Sequence, residues 1–276
     1  MHVKYPVNIV KRNIIFVLFI ISFISQPIYS QISFHGTTLV VVRNKDSVII
    51  GSDSKVGTIN NFITLADFLH ALPPSIEKIR ISGNVAYVIG GLYNSIVRDT
   101  RSESETNNFD VFEIAESAFN IDNNIFQKCA NFRINLRPQL EAIWDGEIKK
   151  NPITNLKRFA VVLIAGGIYH DIPYVIIESF YPKELKGIFG TYIHIPEAVV
   201  TEKRYPFANA IDSTCCFTFG AALENVPLDS YKQLLVTDPI AYVRILIELA
   251  VQKDSVSNGN PVKILCITRD GMNWIQ

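Results

Sequence analysis

Two apolar, β-branched runs, 38–43 (TLVVVR) and 47–52 (SVIIGS), are separated by the three polar residues Asn44-Lys45-Asp46. That pattern predicts a β-hairpin, and it opens a block order that runs through the whole chain. Residues 79–82 and 85–90 (VAYVIG) predict a second strand pair around Gly83-Asn84. From 91 to 143 the period changes. The stretches FDVFEIAESAF and IFQKCANFRINLRPQLEAIW space their apolar residues at three and four, which predicts helices, while Arg101–Asn108 (RSESETNN) is polar and reads as a loop. Strands return at 159–167 and 173–180. Helices are expected at 213–224 and 238–253, joined by a segment containing Pro and Asp, and strands at 261–268 and 272–275 close the chain. Strand blocks separated by helical blocks imply sheets that pack together with helices outside.

The chain has 276 residues, 48% of them hydrophobic and 19% charged, enough for a sizeable core in one large domain or two small ones. Its first 30 residues read as an exported leader. Lys11 and Arg12 precede an 11-residue apolar run, Ile14–Ile24, and the polar stretch SQPIYS follows. That is the grammar of a signal peptide, and the run is shorter than the roughly 20 residues of a membrane span. Cleavage is expected after Ser30, although Ile28 is large for its position; an uncleaved anchor is the alternative. The expectation is an exported protein, periplasmic or secreted, that touches a membrane only through this leader. Beyond the leader, 23 basic residues face 26 acidic ones, which gives no electrostatic case for a nucleic-acid partner.

Cys129, Cys215, Cys216 and Cys266 form neither a disulfide framework nor a CxxC pair, and the five histidines are scattered. No metal and no cofactor are expected. The chain also lacks GxSxG and any phosphate-binding glycine loop.

One stretch carries more specific information. Residues 35–57, HGTTLVVVRNKDSVIIGSDSKVG, combine Gly-Thr-Thr, a hairpin, and an aspartate 16 residues after the first threonine. SIEKIRISGNVAYVIGGL then places a lysine before a strand and Gly-Leu after it. VVLIAGGIYHDIPYVIIESF and AVQKDSVSNGNPVKILCITRDG follow in order. Together these segments resemble the proteasome β-type subunits, including their bacterial two-component relative, within the N-terminal nucleophile hydrolases. The likeness covers residues 36–276. It implies an α+β fold, a four-layer αββα sandwich, which agrees with the block order above.

The resemblance also implies a chemistry. A free N-terminal threonine carries nucleophile and base on one residue: its hydroxyl attacks a carbonyl, and its own amine, with an unperturbed pKa of about 7.7–8.0, takes the proton. Thr37 matches that nucleophile, Asp53 the acid on the second strand and Lys78 the catalytic lysine. Gly91 matches the oxyanion glycine, with Gly90 as the alternative. Asp254 and Ser257 match the pair that supports the amine. The family's Gly-Ser-Gly has its nearest counterpart at IDSTCC, where Ser213 is the matching serine but the glycines are missing. Val56, Ile76, Ile89 and Tyr93 match the wall of the first specificity pocket, an apolar set that reads equally well as strand core. Gly36-Thr37 is expected to be a self-cleavage junction, leaving 31–36 as a short propeptide and 37–276 as the hydrolase domain. The 24 residues between Asp53 and Lys78 exceed the family's spacing, and ITLADFLHALPP reads as an inserted loop.

The implied activity is cleavage of peptide bonds in a peptide or protein substrate. A catalytically inactive structural subunit of the same fold and an amidase acting on a small amide are the alternatives. Whether the chain forms a homo-oligomer is left open.

Overall fold

The computed structural model describes residues 38–54, 77–92, 94–98, 105–121, 124–150, 156–186, 192–206, 211–220, 223, 226–253 and 259–275, all within one compact unit, Phe34–Gln276. The first hairpin joins β1 (Leu39–Arg43) to β2 (Ser47–Ser52). Asn44 fixes its turn. The Asn44 side-chain oxygen accepts from the backbone N–H of Asp46 at 2.9 Å and of Ser47 at 2.8 Å, and the Asn44 N–H donates to the Ser47 carbonyl at 3.0 Å. An Asn side chain can imitate a backbone turn in this way, and it sets the register in which Leu39 faces Ser52 and Arg43 faces Val48.

The remaining elements are β3 (Arg80–Ser82), β4 (Val85–Gly91), β5 (Asn94–Arg98), β6 (Glu105–Asp110), α1 (Val111–Phe119), α2 (Ile125–Lys150), β7 (Val161–Tyr169), β8 (Ile172–Lys186), β9 (Tyr192–Tyr205), β10 (Cys215–Phe219), α3 (Lys232–Thr237), α4 (Pro239–Lys253), β11 (Lys263–Thr268) and β12 (Gly271–Ile275). They build two five-stranded antiparallel sheets, β10-β1-β2-β11-β12 and β3-β4-β7-β8-β9, and a separate two-stranded ribbon, β5-β6.

Three apolar clusters set the layers. Leu39, Val41, Val48 and Ile50 meet Ala86, Val88, Val162 and Ile164 between the sheets. On the opposite face of the first sheet, Val40, Val42 and Ile49 pack on Val243, Leu246 and Ile247 of α4. On the outer face of the second sheet, Val85, Tyr87 and Leu163 pack on Phe119 of α1 and on Phe132, Leu136 and Trp144 of α2. The order is therefore helices, sheet, sheet, helices. β1 and β2 are buried on both faces, so their sequences read as continuous apolar runs. Each such fully buried side chain contributes about 1.5–3 kcal/mol of transfer free energy.

The helices start where their caps allow. The Asp110 carboxylate accepts from the N–H of Phe112 at 2.7 Å and Glu113 at 3.3 Å, so α1 begins at Val111. The Asp238 carboxylate accepts from the N–H of Ala241 at 3.0 Å at the head of α4.

Two expectations are corrected. The helix expected over 213–224 is the strand β10, which pairs antiparallel with β1 from Leu39–Phe219 to Arg43–Cys215. Its Phe217 and Phe219 point between the sheets and Cys216 points to the α4 side; a short apolar run fits period 2 and period 3.6 alike, and pairing covers the otherwise open edge of β1. Within Arg101–Asn108, expected as a loop, Glu105–Asn108 belong to β6. β6 pairs antiparallel with β5, and its residues Glu105–Asn108 include no apolar side chain that would mark a strand in the sequence. The long strand β9 falls in a stretch that the apolar pattern leaves unassigned. Among the described residues, no helix is long and apolar enough to cross a membrane.

Candidate active site

At the start of β1, the N–H of Thr38 donates to Asp53 Oδ1 at 2.7 Å, and the N–H of Asp53 returns a bond to the Thr38 carbonyl at 3.2 Å. The hairpin register makes this closure possible, because Asp53 follows Ser52, the partner of Leu39. The same carboxylate oxygen accepts from Lys78 Nζ at 2.7 Å, and both side chains are fully buried. Asp53 Oδ2 accepts from the N–H of Gly259 at 3.3 Å. Gly259 is held in turn by Ser54, whose N–H and hydroxyl donate to its carbonyl at 3.1 and 3.3 Å. One carboxylate thus joins the start of β1, the segment leading into β3 and the segment leading into β11.

Burial lowers the Lys78 pKa from 10.5 to about 8, with attraction to Asp53 and the hydrogen bond that Lys78 donates to it acting against that fall. At neutral pH the ammonium form still dominates by about tenfold. It is a charge held in place, close to the point where it becomes a base.

Gly91 ends β4 in a conformation that other residues resist, with φ +98°, and a Cβ there would lie 2.0 Å from the Ala160 carbonyl oxygen. Leu92 N–H donates to that carbonyl at 3.0 Å, and the pair continues the β4–β7 register. Hydrogen bonding alternates along an antiparallel strand, so the even residues of β4 bond to β7 and the N–H of Gly91 is directed away from β7. The β3–β4 pairing ends at Arg80–Tyr87, and Lys78 lies two residues before it in the chain. Gly90, the alternative, is required for a different reason: a Cβ there would lie 2.5 Å from the Phe219 ring across the sandwich.

Of the expected site residues, Asp53 and Lys78 are brought into contact and Gly91 closes the same end of the sandwich. Ser213 is not brought there. Its carbonyl accepts from Arg43 Nη1 at 2.7 Å, at the end of β1 opposite to Thr38. Leu39 and Arg43 are separated by about 14 Å of extended strand, at ~3.4 Å per residue. Because β10 runs antiparallel to β1, it is Phe219, not Ser213, that reaches the Asp53 end. Ile89, expected in a pocket wall, is fully buried in the core beneath α1 and α2, the strand-core reading of that position. Gly36, Thr37, Val56, Ile76, Tyr93, Asp254 and Ser257 lie outside the described residues.

Sequence reasoning missed Gly259, Ser54 and the Thr38 N–H. Two of these act through backbone groups, which residue identity does not announce. Among the described residues, no three His, Cys, Asp or Glu side chains converge as a metal site would require, and the four cysteines are free thiols. No family model matches the chain, and no curated protein matches it in sequence.

Proposed function

We propose that the chain is an exported N-terminal nucleophile hydrolase of the proteasome β-subunit type that cleaves peptide bonds with Thr37. The observation that carries this reading is the buried Asp53–Lys78 pair, whose shared oxygen also holds the N–H of Thr38, the residue covalently joined to Thr37. A fully buried lysine and aspartate are costly to place, and here they converge on the first residues of the first strand. The helix–sheet–sheet–helix layering supports the same family.

In this reading Thr37 begins as an amide, so its nitrogen is not basic. Its hydroxyl attacks the Gly36 carbonyl, the acyl group moves from nitrogen to oxygen, and water hydrolyses the resulting ester. Gly36 leaves as a carboxylate and the Thr37 amine is freed. The neighbouring hydroxyl acts at very high effective concentration, and glycine permits the strained backbone that the attack needs. In turnover the amine takes the hydroxyl proton as the oxygen attacks the substrate carbonyl. The Lys78 ammonium keeps the amine unprotonated and stabilises negative charge on oxygen. The Gly91 N–H stabilises the oxyanion. The amine then protonates the departing amine, and water releases the acyl group.

Substitution at Thr37 tests this. Thr37→Ala abolishes turnover of a fluorogenic peptide panel, while Thr37→Ser, which keeps a hydroxyl and a free amine, retains part of it. Equal turnover by wild type and Thr37→Ala would refute the proposal. Turnover confined to small amides would move the assignment to an amidase, and a folded wild type silent on every amide would leave the structural-subunit reading.

A further inference from the structure

Among the described residues β3 is an edge strand, and a cleft of about 400 Å³ runs along it, toward the lower end of the ~300–1,000 Å³ typical of ligand sites. The hydrogen-bond alternation on β4 assigns its odd residues to β3, so Arg80 and Ser82 pair with Tyr87 and Val85. The N–H and C=O of Ile81 therefore point away from β4, out of the sheet. Ile81 is 45% exposed.

The two sides of this edge differ. Ile79 belongs to the core between the sheets, and Ile81 shares its face. Trp274 of β12 pairs with the inter-sheet residue Leu265 and is 43% exposed, so it closes the apolar side. On the helix side, Arg80 lies over the Phe112 ring at 5.4 Å. Its Nη1 stands 3.9 Å from Glu116 Oε1, close enough for an ion pair but too far for a hydrogen bond. A donor and an acceptor with open capacity thus sit side by side on one wall. Glu77 and Glu116 outnumber Arg80 in the lining, which disfavours an acidic ligand.

We propose that this cleft binds an extended peptide segment, added as a strand beside β3, in which a carboxamide side chain, Gln or Asn, stands between apolar residues. Alternate side chains of an added strand face opposite sides. Apolar side chains meet Ile81 and Trp274, while the carboxamide accepts from Arg80 and donates to Glu116. The peptide residue opposite Ile81 exchanges both main-chain hydrogen bonds with it. The site is separate from the Asp53–Lys78 pair, and the proposal does not rest on the nucleophile reading.

The test uses the full chain carrying Thr37→Ala, so that binding is measured without turnover, and the fluorescein-labelled peptide acetyl-Val-Gln-Val-Gln-Val-amide. Fluorescence anisotropy is expected to show saturable binding. N-methylation of the central Val, which removes the N–H facing Ile81, weakens it about tenfold or more, the equivalent of one or two lost hydrogen bonds. N-methylation of either Gln, whose N–H points away, leaves it nearly unchanged. Ile81→Pro gives the same loss, and because that N–H takes no part in the β3–β4 ladder the variant keeps its fold. Equal effects of methylation at Val and Gln, or equal or tighter binding of the Val-Glu or Val-Lys counterparts, would overturn the proposal. So would a concentration-dependent dimer that Ile81→Pro abolishes, since the edge would then belong to a second copy of the chain.

Discussion

Replacing Asp53 by Asn removes one charge and almost no volume, which isolates the electrostatics of the buried pair. The Lys78 pKa of about 8 against 10.5 means that holding its charge in the interior already costs about 3 kcal/mol, at ~1.36 kcal/mol per pH unit. Attraction to Asp53 is what keeps that figure from being larger. Without it, Lys78 either stays charged beside a neutral amide or gives up its proton, and the Thr38 and Gly259 N–H groups lose a charged acceptor. Breaking a buried ion pair on one side costs about 3–5 kcal/mol, and Asp53→Asn is expected to fall in that range. The double variant Asp53→Asn/Lys78→Met removes the stranded charge and recovers at least ~1–2 kcal/mol relative to the sum of the single changes. Urea unfolding followed by circular dichroism, with unchanged m-values, reads all three. A cost below ~1 kcal/mol for Asp53→Asn, or strict additivity in the double variant, would show that the pair is not buried and coupled as described.

Because Lys78 loses its proton near pH 8 in the folded state and near 10.5 in the unfolded one, activity and stability separate with pH. Between those values the unfolded chain binds more protons, so this group's contribution to stability rises with pH, while turnover that depends on the ammonium falls above about pH 8; pH–rate and pH–unfolding profiles on one sample check both. Gly91→Ala places a Cβ against the Ala160 carbonyl at a positive φ and is expected to cost more than the ~1–2 kcal/mol of the left-handed backbone alone, measured as a loss in thermal midpoint. Gly90→Ala meets the edge of the Phe219 ring instead, and pairing it with Phe219→Leu is expected to recover stability, whereas Gly91→Ala gains nothing from that change.

The sequence was most legible where one physical signal acts alone. The β1–β2 hairpin is announced by two apolar runs and an Asn turn, and α4 by its period, each within a residue or two of the structure. Asp53 and Lys78, 25 positions apart, could be paired only through a family resemblance, since no spacing rule joins them. β10 was misread because CCFTF suits either period, and only its pairing with β1 decides the matter. Ser213 rests on the resemblance of IDSTCC to a Gly-Ser-Gly whose glycines are missing, and it precedes β10 at the end of β1 away from Asp53. Gly259 and Thr38 bond through their N–H groups, which every residue except proline carries, so nothing in their identity marks them.

If Thr37 is released as the first residue of the mature chain and acts as nucleophile, intact-mass measurement of the purified protein reads that release without an activity assay. The wild type is expected to begin at Thr37, with its α-amine free, while Thr37→Ala retains His35-Gly36 in front of the substituted position. A folded protein that hydrolyses peptides while still carrying His35-Gly36 would contradict it.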